Sequence, residues 1–313
     1  MESSVRFKAI IAFFLVIHCI PLSNAFCQSR ETPNEIPLWN AAIPNGPGPS
    51  GAEIVSKSGS ITNVSQPRLI GHYPKHPGKI AILVISGGGY AHIEAGNEST
   101  PAADWLAGDG ITAFELVYRL PGEGWSSPYV PFQDGQRAVR LIRSMATKLG
   151  IDPHSIGVMG FSAGGHLAAM IATQPAAKYY RPTDKIDELS ARPDFAALLY
   201  PVITMLPPYG HTQSEKEILG THPTQTAEKE FSAQLHVNGL TPPTFLAQAA
   251  DDPISNVQNS KLMYKALKEH GIPAKLDLFP RGGHGWGLGK RGTPEKKWPS
   301  LFMKWLRASG FLD

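Results

Sequence analysis

Beyond residue 60 the chain alternates between two kinds of apolar pattern. The continuous apolar run within Lys79 to Ile85 predicts a strand buried on both faces, and Ile111 to Tyr118, Ile156 to Phe161, Phe195 to Tyr200, Thr244 to Ala249 and Lys275 to Phe279 read as further strands. Arg68 to Tyr73 reads as an edge strand. Between these runs the period lengthens. Pro101 to Ala107 starts a helix after the cap candidate Thr100. From Phe132 to Leu149, residues Ala138, Leu141, Ile142, Met145 and Leu149 share one face, leaving Arg137, Arg140 and Arg143 solvated or paired. Gly165 to Ala172 is Ala-rich, and Asn256 to His270 and Pro299 to Ser309 complete the helices. Strands alternating with helices predict a mostly parallel, doubly wound α/β sheet, with any site outside the carboxyl ends of its strands.

Two stretches break the pattern. Residues 26–52 are rich in Pro, Gly and Asn and read as an extended leader ahead of a domain over 53–313. Residues 203–240 lack a clean period, contain Pro207-Pro208, and read as a small irregular cap or excursion over the sheet. The first 25 residues have a separate logic. Arg6 and Lys8 precede an apolar run, Ala9 to Ile20, too short to span a bilayer comfortably, and Ser23-Asn24-Ala25 offers small residues for cleavage after Ala25. A signal peptide over 1–25 is expected, and with it a secreted or periplasmic chain that has no membrane association once cleaved. Only Cys19 and Cys27 occur, so the mature chain would keep one thiol and no internal disulfide.

Composition narrows the function classes. The 313 residues are 42% hydrophobic and 18% charged, ordinary for a globular protein, and the length allows one large α/β domain or two small ones. A net charge of +3 without a dense basic run gives nucleic-acid binding no support. No HExxH pattern or spaced Cys/His set is present, so neither a metal nor another cofactor is expected, although His92 and Glu94 lie close together.

The chemistry centres on Gly160-Phe161-Ser162-Ala163-Gly164, which reads G-x-S-x-G between a strand and a helix. Glycines on both sides let a serine sit on a turn too tight for bulkier neighbours. A serine hydroxyl needs a base, and the base needs a carboxylate to hold its tautomer. Asp251-Asp252 follows the strand Thr244 to Ala249, and His284 follows the strand Lys275 to Phe279 within Arg281-Gly282-Gly283-His284-Gly285-Trp286. The chain order Ser162, Asp252, His284 puts all three on one rim. Asp252 is favoured because it lies deeper in its loop, directly before Pro253; Asp251 is left to face solvent or cap a turn. Ser86-Gly87-Gly88-Gly89-Tyr90 follows another strand, and Gly88, Gly89 and Ala163 are the candidate backbone donors of an oxyanion hole. The same loop lacks the Lys-Ser/Thr pair of a phosphate cradle and the third spaced glycine of a dinucleotide fingerprint.

Other residues take lesser parts. His166, on the helix leaving the elbow, reads as structural. Arg119, Asp134 and Arg137 are expected to form an ion pair bracing the loop after Tyr118, and Glu94 and Glu98 to line the loop entrance. Tyr90, Trp125, Tyr129 and Trp286 fall on loops at the rim, where rings can stack on sugars or line an acyl pocket; Tyr90 and Trp286 are the substrate-binding candidates.

These motifs carry a resemblance. Ile85-Ser86-Gly87-Gly88-Gly89-Tyr90, Tyr118-Arg119-Leu120, Asp134 with Arg137-Ala138, Gly160 to Ala168, Ala250-Asp251-Asp252-Pro253 and Phe279 to Gly285 are similar to the α/β-hydrolase superfamily. The branch is that of secreted esterases resembling acetyl xylan esterases and hormone-sensitive-lipase-like enzymes. The resemblance implies an α/β-hydrolase fold and a serine esterase acting on short acyl esters, acetyl groups of a polysaccharide such as xylan foremost, or on small-molecule esters. It also supports Asp252 by its spacing to the following proline. One residue departs from the pattern: relatives often carry His before the glycine triplet, where this chain has Ser86, so the loop needs a different brace. The competing readings are an exopeptidase on the same fold and a non-catalytic carbohydrate-binding module.

Overall fold

In the computed structural model, Met1 and residues 35–40 and 42–312 are described. The chain separates into Met1–Thr32 and Pro33–Asp313, and the fold below is that of the second unit. The signal segment, its cleavage site and both cysteines lie outside the described residues.

The strands are β1 (Glu35–Pro37), β2 (Ile54–Val55), β3 (Ile61–Thr62), β4 (Arg68–His72), β5 (Ala81–Ile85), β6 (Thr112–Val117), β7 (Ile156–Phe161), β8 (Phe195–Leu199), β9 (Thr244–Ala249) and β10 (Ala274–Phe279). The α-helices are α1 (Ser99–Gly108), α2 (Val130–Leu149), α3 (Ser162–Thr173), α4 (Gln213–Leu219), α5 (Gln225–Glu230), α6 (Gln258–Glu269) and α7 (Trp298–Ala308). Eight strands form one sheet in the order β1-β4-β6-β5-β7-β8-β9-β10, while β2 and β3 pair separately. From β6 to β10 every neighbouring pair is parallel; β4 runs antiparallel to β6, and β1 antiparallel to β4.

The apolar runs follow from this architecture. Every residue of β5 to β9 is buried, and successive side chains go to opposite layers. Ala81, Leu83 and Ile85 join Val158, Leu198 and Leu246 under α2, α3 and α6. Ile82 and Val84 join Met159, Ala197 and Phe245 under α1 and α7. The second layer is rich in rings: Trp298 and Phe302 of α7 are fully buried. Side chains of that size contribute on the order of 2–3 kcal/mol each relative to exposure.

Three expectations are corrected. Arg68–His72 is not the sheet edge, because β1 from the leader pairs outside it and takes that position. Thr100 does not cap its helix; α1 begins at Ser99, and the Thr100 hydroxyl donates to Glu115 at 2.7 Å. Arg137 does not belong to the Arg119–Asp134 pair. Arg119 and Asp134 are both fully buried, with a 2.7 Å contact, whereas Arg137 binds Asp184 at 2.6 Å and Asp187 at 3.0 Å. Residues 203–240 form α4, α5 and a 3-10 turn at Ala233–His236.

Candidate active site

The sheet order brings the glycine loop and the serine together. β5 and β7 are adjacent, with Ile85 opposite Gly160, so the chain leaving each strand meets the other. At the elbow Phe161 is extended and Ser162 takes φ 51°, a left-handed conformation that costs an L-residue roughly 1–2 kcal/mol. Close approach fixes the flanking glycines. A Cβ at Gly160 would lie 2.1 Å from the Gly164 carbonyl oxygen, and one at Gly164 would lie 2.2 Å from the Ile85 oxygen.

Ser162, Asp252 and His284 converge. His284 Nδ1 lies 2.7 Å from Asp252 Oδ2, and its Nε2 lies 2.8 Å from Ser162 Oγ. A carboxylate only accepts, so Nδ1 carries the proton and Nε2 is left to accept from the serine hydroxyl. Asp252 is held by three further hydrogen bonds: Oδ1 accepts from the Ile254 and Ser255 amides at 2.8 and 2.9 Å, and Oδ2 from Gln248 Nε2 at 2.9 Å. Its side chain is fully buried, while that of His284 is 15% exposed on the pocket side. Asp251 is exposed and, among the described residues, accepts only the Gly283 amide, at 2.8 Å. The choice between the two aspartates thus comes down to which one the imidazole meets.

Gly88 and Gly89 line the same pocket as Ser162 and His284. Both have positive φ, 108° and 65°, and their amides have no hydrogen-bond partner among the described residues. Ala163 follows Ser162 as the second residue of α3, where an amide has no acceptor within its own helix. The loop's brace differs from the histidine of the relatives. Ser86 Oγ donates to Ser99 Oγ at 2.6 Å, Tyr118 donates to the Ser86 carbonyl at 2.9 Å, and the Gly87 amide donates to Glu98 at 2.6 Å.

The pocket measures about 410 Å³. Val202 and Ile254 supply apolar wall, Glu98 reaches its floor, and Thr212, Gln213 and Ser214 contribute from the 203–240 excursion. A larger groove of about 980 Å³ lies between residues 42–45 and 176–183, and no triad side chain lines it.

The aromatic expectation is overturned. Tyr90 is fully buried, and its hydroxyl donates to Nδ1 of His166, whose Nε2 donates to the Phe231 carbonyl at 2.7 Å. Trp286 is 3% exposed, wedged against Tyr200 and Trp298. Trp125 covers the Arg119 guanidinium at 4.9 Å, and Tyr129 stacks on Tyr179 and Phe231. None of the four lines the pocket, because their rings complete the core beneath the loops. His166 is structural: burial pushes its imidazole down to about 4, so it stays neutral between its two partners. His92 and Glu94 bond to each other at 3.1 Å, and no metal-holding cluster occurs among the described residues.

Several residues of the site escaped the sequence reading. Glu98, expected merely at the entrance, is buried, and desolvation pushes its carboxyl up to about 7 against opposing hydrogen bonds from Gly87 and Tyr200. Gln248 sits inside an otherwise apolar strand, which is a signal in itself: its Nε2 holds Asp252 and the Ser255 carbonyl, while its Oε1 accepts from Ser260. Tyr200 and Ser99 gave no comparable signal.

Residues 71–267 match the family model described as BD-FAE; the match includes the glycine loop, Ser162 and Asp252 and ends before His284. The fold is similar to that of an acetyl ester-xyloside bifunctional hydrolase from Caldicellulosiruptor lactoaceticus, with TM-score 0.78 and 37% identity over 91% of this chain and 100% of that one. An acetylxylan esterase of Xylanibacter ruminicola is 30% identical over 242 residues, 74% of this chain and 46% of that protein. Endo-1,4-beta-xylanase B of Butyrivibrio fibrisolvens is 39% identical over 207 residues, 65% of this chain and 32% of that protein. The chain therefore spans less than half the length of either of these two curated relatives. With the family match running through the glycine loop and the elbow, on a mostly parallel sheet shared with a solved hydrolase, this chain belongs to the BD-FAE family of α/β-hydrolase esterases.

Proposed function

We propose that the protein is a serine esterase that removes short acyl groups, acetyl above all, from carbohydrate such as acetylated xylan or its oligosaccharides. The observation that carries this reading is the unbroken hydrogen-bonded run from Ser162 Oγ through His284 to Asp252, at 2.8 and 2.7 Å. In the proposed reaction Ser162 Oγ attacks the ester carbonyl as its proton passes to His284 Nε2. Asp252 holds the imidazolium that forms. The Gly88, Gly89 and Ala163 amides take the oxyanion, each such donor supplying roughly 3 kcal/mol in the transition state. His284 returns the proton to the departing alcohol, leaving an acyl-serine. A water molecule, deprotonated by His284, then releases the acid and restores Ser162.

A pocket of about 410 Å³ with Val202 and Ile254 in its wall suits a small acyl group. The carbohydrate half of the proposal draws on the relatives, one named an acetylxylan esterase and one an acetyl ester-xyloside bifunctional hydrolase, and not on rim aromatics, which the core absorbs. Export with cleavage after Ala25 is part of the same reading, since polymeric xylan does not enter cells. The test is a panel of aryl esters of increasing chain length run beside acetylated xylo-oligosaccharides, with acetate release measured. Turnover is expected to be highest for acetyl and to vanish in Ser162→Ala, together with labelling by a fluorophosphonate. A wild-type chain that neither labels nor hydrolyses any ester refutes the proposal.

A further inference from the structure

Glu98 precedes α1 and is 3% exposed. A buried carboxyl group is costly unless its oxygens are paired, and both are. Oε2 accepts the Gly87 amide at 2.6 Å; Oε1 accepts the Tyr200 hydroxyl at 2.9 Å. Tyr200 in turn accepts the Gly287 amide at 3.1 Å, and its ring meets the His284 imidazole edge-on, with centroids 4.9 Å apart. The neighbouring Asn97 donates to the Gly285 carbonyl at 3.0 Å. One side of Glu98 therefore grips the residue just before Gly88 and Gly89. The other side, with Asn97, brackets His284 from Gly285 and Gly287.

We propose that Glu98 is a positioning residue that locks the glycine loop to the histidine loop, keeping the oxyanion donors and the imidazole in register around Ser162. The proposal rests on the acyl-transfer reading above. Its physical content is that the two halves of the site arrive from different strands, β5 and β10, which are not neighbours in the sheet. Nothing in the ladder couples the loops leaving them, and a misplacement of about 1 Å can cost on the order of 100-fold in rate. A carboxyl group suits the task because Gly87 and Tyr200 are both donors, and it offers an acceptor to each. An amide offers only one. Glutamine at this position keeps the Gly87 contact but turns an NH2 group toward Tyr200, whose oxygen already accepts from Gly287.

The experiment compares wild type with Glu98→Ala, Glu98→Gln and Tyr200→Phe on p-nitrophenyl acetate, with rates normalised to the sites titrated by a fluorophosphonate. Affinity for a trifluoromethyl ketone, which adds to the serine as an oxyanion, is measured in parallel. Glu98→Ala is expected to lower kcat by about 100-fold with KM nearly unchanged, and to weaken the ketone by a similar factor. Glu98→Gln and Tyr200→Phe, each of which frees only one loop, are expected to fall by about tenfold. Variants with wild-type kcat and ketone affinity per titrated site overturn the positioning role while leaving the esterase reading intact. The Gln and Phe variants decide this alone if the Ala variant does not fold. A wild type inert toward both ester and fluorophosphonate overturns both readings.

Discussion

Replacing Glu98 by Gln should change how stability depends on pH. Burial raises the Glu98 carboxyl from 4.5 to about 7 in the folded protein, so the folded chain binds this proton more tightly than the unfolded chain does. Its favourable contribution is complete below about pH 4.5 and is lost as the pH rises through about 7. At about 1.4 kcal/mol per pH unit, the full swing is about 3 kcal/mol, and most of it falls between pH 5 and 8. Glutamine does not titrate. The stability of Glu98→Gln relative to wild type should therefore improve by roughly 2–3 kcal/mol on going from pH 5 to pH 8, whatever its offset at pH 5. Titrating groups that do not interact with Glu98 are common to both proteins and cancel in the difference. Urea unfolding followed by tryptophan fluorescence at pH 5, 6, 7 and 8 measures it. Parallel curves for the two proteins, or a relative loss of stability in the variant at pH 8, would refute the argument that Glu98 is held against its desolvation cost.

Other residues make equally specific predictions. Asp252→Asn should cut kcat on aryl acetates by about 10⁴-fold, whereas Asp251→Asn, whose amide oxygen can still accept from Gly283, should stay within about tenfold; steady-state kinetics on both variants separates them. Asp134→Asn strips the fully buried Arg119 of its charge partner and should cost about 3–5 kcal/mol, read as a lower urea midpoint. Trp286→Ala should behave as a core truncation, losing about 3–5 kcal/mol in unfolding free energy, and not chiefly as a rise in KM for oligosaccharides. Gly164→Ala places a Cβ 2.2 Å from the Ile85 oxygen and should yield a protein with a markedly lower Tm or none that folds.

The central strands were legible because their runs are largely apolar: a parallel sheet covered on both faces favours apolar side chains on both layers, and β5 to β9 supply them at most positions, Glu115 and Gln248 being exceptions. The helix α2 was legible from its period. The short helices α4 and α5 were not, because too few residues show a face, although Thr212 followed by Glu215 is a cap signal; its hydroxyl accepts the Glu215 amide. β1 was hidden for a related reason, being a three-residue strand in a Pro- and Gly-rich leader that pairs along one edge only.

What the sequence determined by itself was the local chemistry: which serine sits on a glycine-bounded turn, which acid and which histidine follow a strand end, and which loop has its amides free of side-chain crowding. These are legible because backbone sterics and strand periodicity act over a few residues. Tertiary structure placed the imidazole on Asp252, the carboxylate the sequence favoured, and it alone decided that the aromatic rings of Tyr90, Trp125 and Trp286 turn inward. It also joined Glu98 to Gly87 and Tyr200 across 11 and 102 residues of chain. Such choices depend on filling space and pairing buried polar atoms between distant segments, and no local pattern encodes which distant atom will complete the pair.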